Sequence, residues 1–239
     1  MRENKKILAI VPARAGSKGL KNKNIKYLNN LPLFVHPLNA LKKSKYVDKV
    51  VLSTDSEKII NLSKKFGNFV YFTRPKKISG DDASSFEVIK HTINFFKNKN
   101  EEFDYVICLE PTSPFTETKD IDFMIKKVVD NNFNSGVSIS ILEKNHPNFL
   151  FKINRNKTIS SYQKKKKYNL RRQQVSKLYF LDGSLYFSEI KNFLKNKSFV
   201  SNKTFGLIMP KWKSLEIDNI LDFELAKIIY KNIKKLKNA

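Results

Sequence analysis

At 239 residues with 41% hydrophobic content, the chain suits one α/β domain with a substantial core and a small appendage. The formal charge of +24 invites a nucleic-acid reading, but 40 of the 46 cations are lysine, asparagine reaches 25, and the lysines are scattered, so the coding bias of an A/T-rich genome is a sufficient cause. No apolar run reaches the roughly 20 residues of a membrane span, the N-terminal apolar stretch is too short for a signal-peptide core, and the single Cys108 excludes an internal disulfide and reads as a buried thiol in a cytoplasmic protein.

Strand 1 is expected at Ile7–Val11, an apolar run of the kind found in buried parallel sheets. It leads into Pro12-Ala13-Arg14-Ala15-Gly16-Ser17-Lys18-Gly19, followed by Lys21, Lys23 and Asn24. Glycines let backbone N–H groups close on phosphate and the cations neutralise it. The loop therefore points to a nucleoside triphosphate, although neither the Walker spacing nor GxGxxG is present. Leu31–Lys43 reads as a helix with Pro32 at its start and Pro37 awkwardly inside. Lys49–Ser53 reads as strand 2, and Ser56 to Phe66 as a helix capped by Ser56. Asp55 is expected to cap that helix rather than to take part in catalysis. Phe69–Phe72 is expected as strand 3, Ser84–Lys97 as a helix and Tyr105–Leu109 as strand 4. A helix at Thr118–Asp130 and strand 5 at Gly136–Leu142 follow.

Strands alternating with helices imply parallel crossovers, hence an α/β fold with a three-layer, doubly wound, mostly parallel sheet. Ligands of such sheets bind beyond the carboxyl ends of the strands, which collects the Arg14–Lys18 loop, Asp55 and Glu110–Ser113 on one rim. Residues 143–180 break the pattern and read as a β-hairpin excursion, with Asp182–Ser188 returning to the core. Asp218–Lys231 is expected as a final helix with Leu221, Leu225, Ile228 and Ile229 inward. One domain, 1–239, accounts for the whole. His36, His91 and His146 have no metal-ligand spacing and read as structural.

Five segments carry polar chemistry: the basic loop; Arg74-Pro75 with Gly80-Asp81-Asp82-Ala83-Ser84-Ser85; Glu110-Pro111-Thr112-Ser113-Pro114; Arg171-Arg172-Gln173-Gln174 with Asp182-Gly183-Ser184; and Ser214-Leu215-Glu216-Ile217-Asp218 with Asp222 beyond. In this order and spacing they resemble the CMP-sialic acid synthetases, or acylneuraminate cytidylyltransferases, over nearly the whole chain. The resemblance implies a Rossmann-like nucleotidyltransferase. It would transfer CMP from CTP to the anomeric hydroxyl of a 2-keto-3-deoxy sugar acid and release pyrophosphate, with cell-surface polysaccharide synthesis as the natural destination. It implies Arg14, Ser17, Lys18, Lys23 and Asn24 on the triphosphate, with Lys23, Arg14 and Asp218 closest to the chemistry. Arg74, Ala83 and Ser85 would frame cytosine and ribose. Glu110, Thr112, Ser113, Arg172, Gln173, Asp182, Tyr186 and Phe199 would line the sugar pocket. Ser113 between two prolines is either a pocket residue or a turn former, and the Arg171-Arg172 pair either reaches the site or is a solvated face.

Glu216 and Asp218 flank Ile217, so an extended chain points both the same way, and the resemblance makes them the Mg²⁺ ligands. It also implies a homodimer joined through 143–180; the scattered lysines and the lack of an apolar span separately lead to the expectation of no nucleic-acid or membrane partner. Three departures from the family pattern stand out: Glu110 for a common glutamine, Asp182 for a common asparagine, and Glu216 for an aspartate. The first two point toward a modified, amino-bearing sugar acid. They also keep open a nucleotidylyltransferase for a sugar 1-phosphate that uses another nucleotide. A basic nucleic-acid-binding protein is the third alternative, and it lacks clustered arginine.

Overall fold

The computed structural model describes residues 5–17, 19–143, 146–163 and 175–238. In chain order the elements are β1 Ile7–Pro12, β2 Tyr27–Leu28, β3 Leu31–Pro32, α1 Val35–Lys42, β4 Lys49–Ser53, α2 Glu57–Ser63, α3 Ser85–Lys97, β5 Tyr105–Leu109 and α4 Thr118–Asp130. They continue with β6 Ser135–Ile141, β7 Phe151–Ile153, β8 Ile159–Ser161, β9 Tyr179–Glu189, α5 Ile190–Asn196, β10 Thr204–Ile208, α6 Ile220–Lys231 and α7 Ile233–Lys237.

The central sheet runs β10-β6-β9-β5-β1-β4. β1 lies parallel to both β4 and β5, and β10 parallel to β6. β9 is inserted antiparallel between β5 and β6. Alternation along each buried strand builds two cores. Ile7, Ala9 and Val11 face Val35, Leu38 and Leu41 of α1 and Ile121, Met124 and Ile125 of α4. Leu8 and Ile10 face Ile89, Ile93 and Phe96 of α3 and Phe193 of α5. The three layers follow from burying the central strands on both faces.

Three expectations need correction. Leu31–Pro32 is not helical: it pairs antiparallel with Tyr27–Leu28, and the helix starts at Val35. Pro37 thus sits in the first turn, where its missing N–H costs little. Phe69–Phe72 is not a strand. It touches β4 through Leu52 N donating to Phe69 O and a lone Thr54–Thr73 bridge, and it bends at Tyr71-Phe72 between them. The final helix turns Phe223 and Ala226 inward, while Leu221, Leu225 and Ile228 are exposed. Both faces of that helix are apolar, so periodicity alone does not choose between them. The face used is the one that meets Leu20, Leu33, Phe115 and Ile217. Asp222 closes the capping box of α6 and accepts from the N–H groups of Asp218 and Asn219. The 143–180 excursion carries the antiparallel β7–β8 hairpin, with Ile153 and Ile159 exposed.

Candidate active site

Two cavities open along the carboxyl-end rim of β1 and β5. The first, about 490 Å³, is walled by the basic loop, by Arg74 and the 80–85 segment, and by Glu216 and Asp218. The second, about 440 Å³, is walled by α3, β9 and the segment after α5, including Tyr186 and Phe199. Ser85, Ile89, Cys108, Glu110 and Glu216 line both cavities. The two spaces therefore share a wall, and two carboxylates stand on it.

Loop geometry follows from anchoring along the loop beyond the carboxyl end of β1. Ala13 N donates to Ser53 O at 2.9 Å, which continues the sheet into the loop. Ala15 N donates to Asp55 Oδ1 at 2.9 Å, and Asn24 Nδ2 donates to Arg14 O at 3.0 Å. Asp55 is therefore not the helix cap: Ser56 caps α2 through Ile59 N. The Asp55 carboxylate instead holds the loop and faces the Arg74 guanidinium at 3.6 Å. Gly19 lies so close to Asp218 that a Cβ there would overlap the Asp218 carbonyl oxygen. Gly19→Ala is expected to lower turnover by about tenfold to a hundredfold by pushing the loop off Asp218. Steady-state rates beside a thermal melt check this, and a wild-type rate would contradict it.

The cations of the first cavity are paired with acids. Arg14 Nη1 meets Asp81 Oδ1 at 2.5 Å, and Lys23 Nζ meets Asp218 Oδ1 at 2.9 Å. Arg74 is 4% exposed, and its Nε has no hydrogen-bond partner. Burial lowers the Arg74 pKa, while Asp55 and Glu110 pull it back up. A buried guanidinium with an unmet donor inside a cavity is a ready site for an acceptor.

Ile217 is buried in the third core and its N–H donates to Thr112 O at 2.9 Å. The chain there belongs to no strand or helix, and Glu216 and Asp218 on either side of Ile217 line the same cavity. Burial, then the Asp218 charge, raise the Glu216 pKa, against Lys23 and the Thr112 hydroxyl. Glu110 is raised to about 7, first by burial and then by Glu216; Cys108, Arg74 and Lys23 oppose this. Burial and the nearby thiol and carboxylates push Tyr186 up to about 12.

The structure brings Arg14, Ser17, Lys23, Asn24, Arg74, Ala83, Ser85, Thr112, Glu216 and Asp218 around the first cavity. Tyr186 and Phe199 pack as a tilted ring pair, centroids 5.3 Å apart, in the second. Lys18, Arg172 and Gln173 lie outside the described residues. Ser113 lines neither cavity: it is 1% exposed in a turn closed by its own N–H on Glu110 O. Asp182 also lines neither. A register shift between Val137 and Ile139 turns its carboxylate into the sheet. There it accepts from the Ser138 hydroxyl, from Ser140 Oγ at 3.1 Å and from Ser184 N at 3.1 Å.

The sequence reading did not assign Asp81, Gly183 or Lys197 to the site. Gly183 has φ of 73°, and a Cβ there would stand 3.2 Å from Glu216 Oε2, so the glycine admits that carboxylate. The D-G-S run held that signal. Asp81 was visible only as a charge beside Gly80.

Among known proteins, a family model described as Cytidylyltransferase matches residues 8–236. A pseudaminic acid cytidylyltransferase of Campylobacter jejuni is 32% identical, covering 95% of this chain and 97% of the relative. An N-acylneuraminate cytidylyltransferase of Escherichia coli is also 32% identical over 97% of this chain, which spans 54% of that longer relative. Among solved structures, a CMP:2-keto-3-deoxy-manno-octonic acid synthetase complexed with CTP superposes with a TM-score of 0.68 at 16% identity, covering 95% of this chain and 99% of the other. That likeness is one of fold, and it confirms the Rossmann-like arrangement. A full-length family match laid over a sheet whose rim carries the phosphate-type loop leads to one assignment: the chain belongs to the cytidylyltransferase family.

Proposed function

We propose that the chain transfers CMP from CTP to the anomeric hydroxyl of a 2-keto-3-deoxy sugar acid of the sialic-acid or related nonulosonate class. The observation that carries this reading is the shared wall: a cation-lined cavity and an aromatic-lined cavity meet at Glu110 and Glu216. The triphosphate occupies the first cavity against Arg14, Ser17, Lys23 and Asn24, and the nucleoside lies against Arg74, Ala83 and Ser85. The sugar acid occupies the second, over Tyr186 and Phe199. Its hydroxyl oxygen bonds to the α-phosphorus, the bond from that phosphorus to the bridging oxygen breaks, and pyrophosphate leaves. The single hydroxyl proton passes to one of the two carboxylates at the shared wall. Positioning and charge neutralisation supply most of the rate. Lys23 and Arg14 exchange their carboxylate partners for phosphate oxygens on binding.

Glu216 and Asp218 fit a magnesium ion. They are two hard oxygen donors facing one cavity, and burial followed by the Asp218 charge raises the Glu216 pKa, a strain on two close carboxylates that a dication relieves. Among the described residues no group of three or more His, Cys, Asp or Glu side chains forms a metal cage, so substrate oxygens and water would complete the shell. Bound there, the ion would neutralise charge on the triphosphate and on the leaving pyrophosphate. The exposed apolar side chains of the β7–β8 hairpin support a homodimer through 143–180. No helix among the described residues is long and apolar enough to cross a membrane, and a CTP-consuming reaction suits the cytoplasm.

Glu110 gives a pH signature. Its pKa in the folded chain lies above the unfolded value, so its contribution to stability is full below about pH 4.5 and is lost as pH rises through about 7. Glu110→Gln is therefore expected to raise the melting temperature at pH 8 and to leave it near wild type at pH 4. Melts without nucleotide or divalent cation check this; equal shifts at both pH values would contradict it.

The functional test offers each of the four nucleoside triphosphates with either a sugar acid or a sugar 1-phosphate and reads the product mass. A CMP–sugar acid adduct formed only with CTP supports the reading. A nucleoside diphosphate sugar made from a sugar 1-phosphate replaces it with the alternative transferase.

A further inference from the structure

We propose that Lys197 binds the carboxylate of the acidic sugar at the mouth of the second cavity, an inference that rests on the functional reading above. Among the described residues lining that cavity, Lys197 is the one cation, against the carboxylates of Glu110 and Glu216. An acidic sugar entering a cavity that already holds two acids needs an opposing charge, since like charges in a half-buried space repel strongly.

Backbone geometry singles out the same residue. Lys197 closes α5 in the left-handed region, at φ 52° and ψ 28°. That position after a helix favours glycine, and a lysine there is held at a conformational cost. Strain of this kind, where the surroundings fix the backbone, marks a residue kept for its side chain. The surroundings here are rigid. Phe199, two residues on, is 9% exposed and packs on Phe193 and Tyr186, with ring centroids 4.7 and 5.3 Å away. Val200 N donates to Ser198 Oγ at 3.0 Å and tightens the same turn. Lys197 itself is exposed and pairs with no carboxylate among the described residues, so its charge is available to a ligand. Other lysines on this surface lack the combination of a cavity wall, an anchored turn and a left-handed backbone.

The test uses the full chain and a sugar acid it turns over, with Lys197→Gly, Lys197→Gln and Lys197→Arg compared by steady-state kinetics. The glycine variant relieves the backbone while removing the charge, so its melting temperature is expected to hold or rise. Both neutral variants are expected to raise the KM for the sugar acid by about tenfold, as loss of a charge-assisted hydrogen bond does. kcat and the KM for CTP should not change, and arginine should retain the sugar-acid KM. An active wild type whose neutral variants keep that KM overturns this inference alone. A rise of equal size in the KM for CTP also overturns it. A wild type that turns over no sugar acid overturns the functional reading and takes this inference with it.

Discussion

Alanine at position 23 is expected to lower turnover by about a hundredfold to a thousandfold while leaving the melting temperature nearly unchanged. Lys23 opens a short 3₁₀ turn, Lys23–Ile25, whose backbone hydrogen bonds do not involve its side chain. Its ammonium reaches the first cavity and meets Asp218 at 2.9 Å. The Asp218 side chain in that pair is 65% exposed, so the pair contributes little to stability. The same charge against a triphosphate works in a confined space from which water is partly excluded, where it is worth far more. The split between a large kinetic effect and a small thermal one is the signature. Arginine at 23 should recover only part of the rate, because a planar fork replaces a compact charge. A near-wild-type rate in Lys23→Ala would remove Lys23 from the mechanism.

The second large effect is on stability. Lys213 is 2% exposed, donates to Asp120 Oδ2 at 2.5 Å and forms an ion pair with Glu117 Oε2 at 2.6 Å. Those two acids form the capping box that starts α4, and Lys237 of α7 joins Glu117 as well. Lys213 therefore ties the segment leading into Glu216 and Asp218 to the helix that follows β5. Lys213→Ala leaves both acids without their buried cation and is expected to cost about 3 kcal/mol, or roughly a 10 °C fall in melting temperature for a domain of this size. Burial alone would raise the Glu117 pKa, but hydrogen bonds and charge from Lys213 and Lys237 outweigh it and hold the group at about 2. A carboxyl depressed in the folded state stabilises above its ordinary value near 4.5, and that contribution is lost as pH falls toward 2. The gap between wild type and Lys213→Ala should therefore narrow over that window. Melts from pH 7 to pH 2 read it directly, and a gap that is constant with pH would contradict the ion-pair account.

Local signals carried much of the fold. The limits of β5 and α4 match the sequence reading to the residue, because each is an uninterrupted apolar or periodic run bounded by turn residues. Ser56 caps its helix as expected, and Ser84, expected as the first residue of the next helix, is its cap. The failures lie where tertiary packing chooses between options that are locally equal. Phe69 and Phe72 have strand propensity, yet β4 takes them as two separate contacts. Helix α6 is apolar on two faces, and only the third core decides which is buried. At the site, the charged residues on the loops after β1 and β5 are expected on one rim, and most of them line the first cavity. Asp182 and Ser113 line neither cavity: at Ser113 the structure takes the turn-former alternative, and at Asp182 a bulge directs the carboxylate into the sheet, which nothing in the residue type records. Lys213, one lysine among many, gave no sign of being buried.

The most direct measurement is pyrophosphate release with CTP and Mg²⁺ against a panel of sugar acids of the N-acetylneuraminate, legionaminate, pseudaminate and octulosonate types. The account predicts release that requires CTP and one of these acids together, with CMP joined to the sugar. Release with none of them, from a folded chain that binds another nucleoside triphosphate more tightly than CTP, would contradict it.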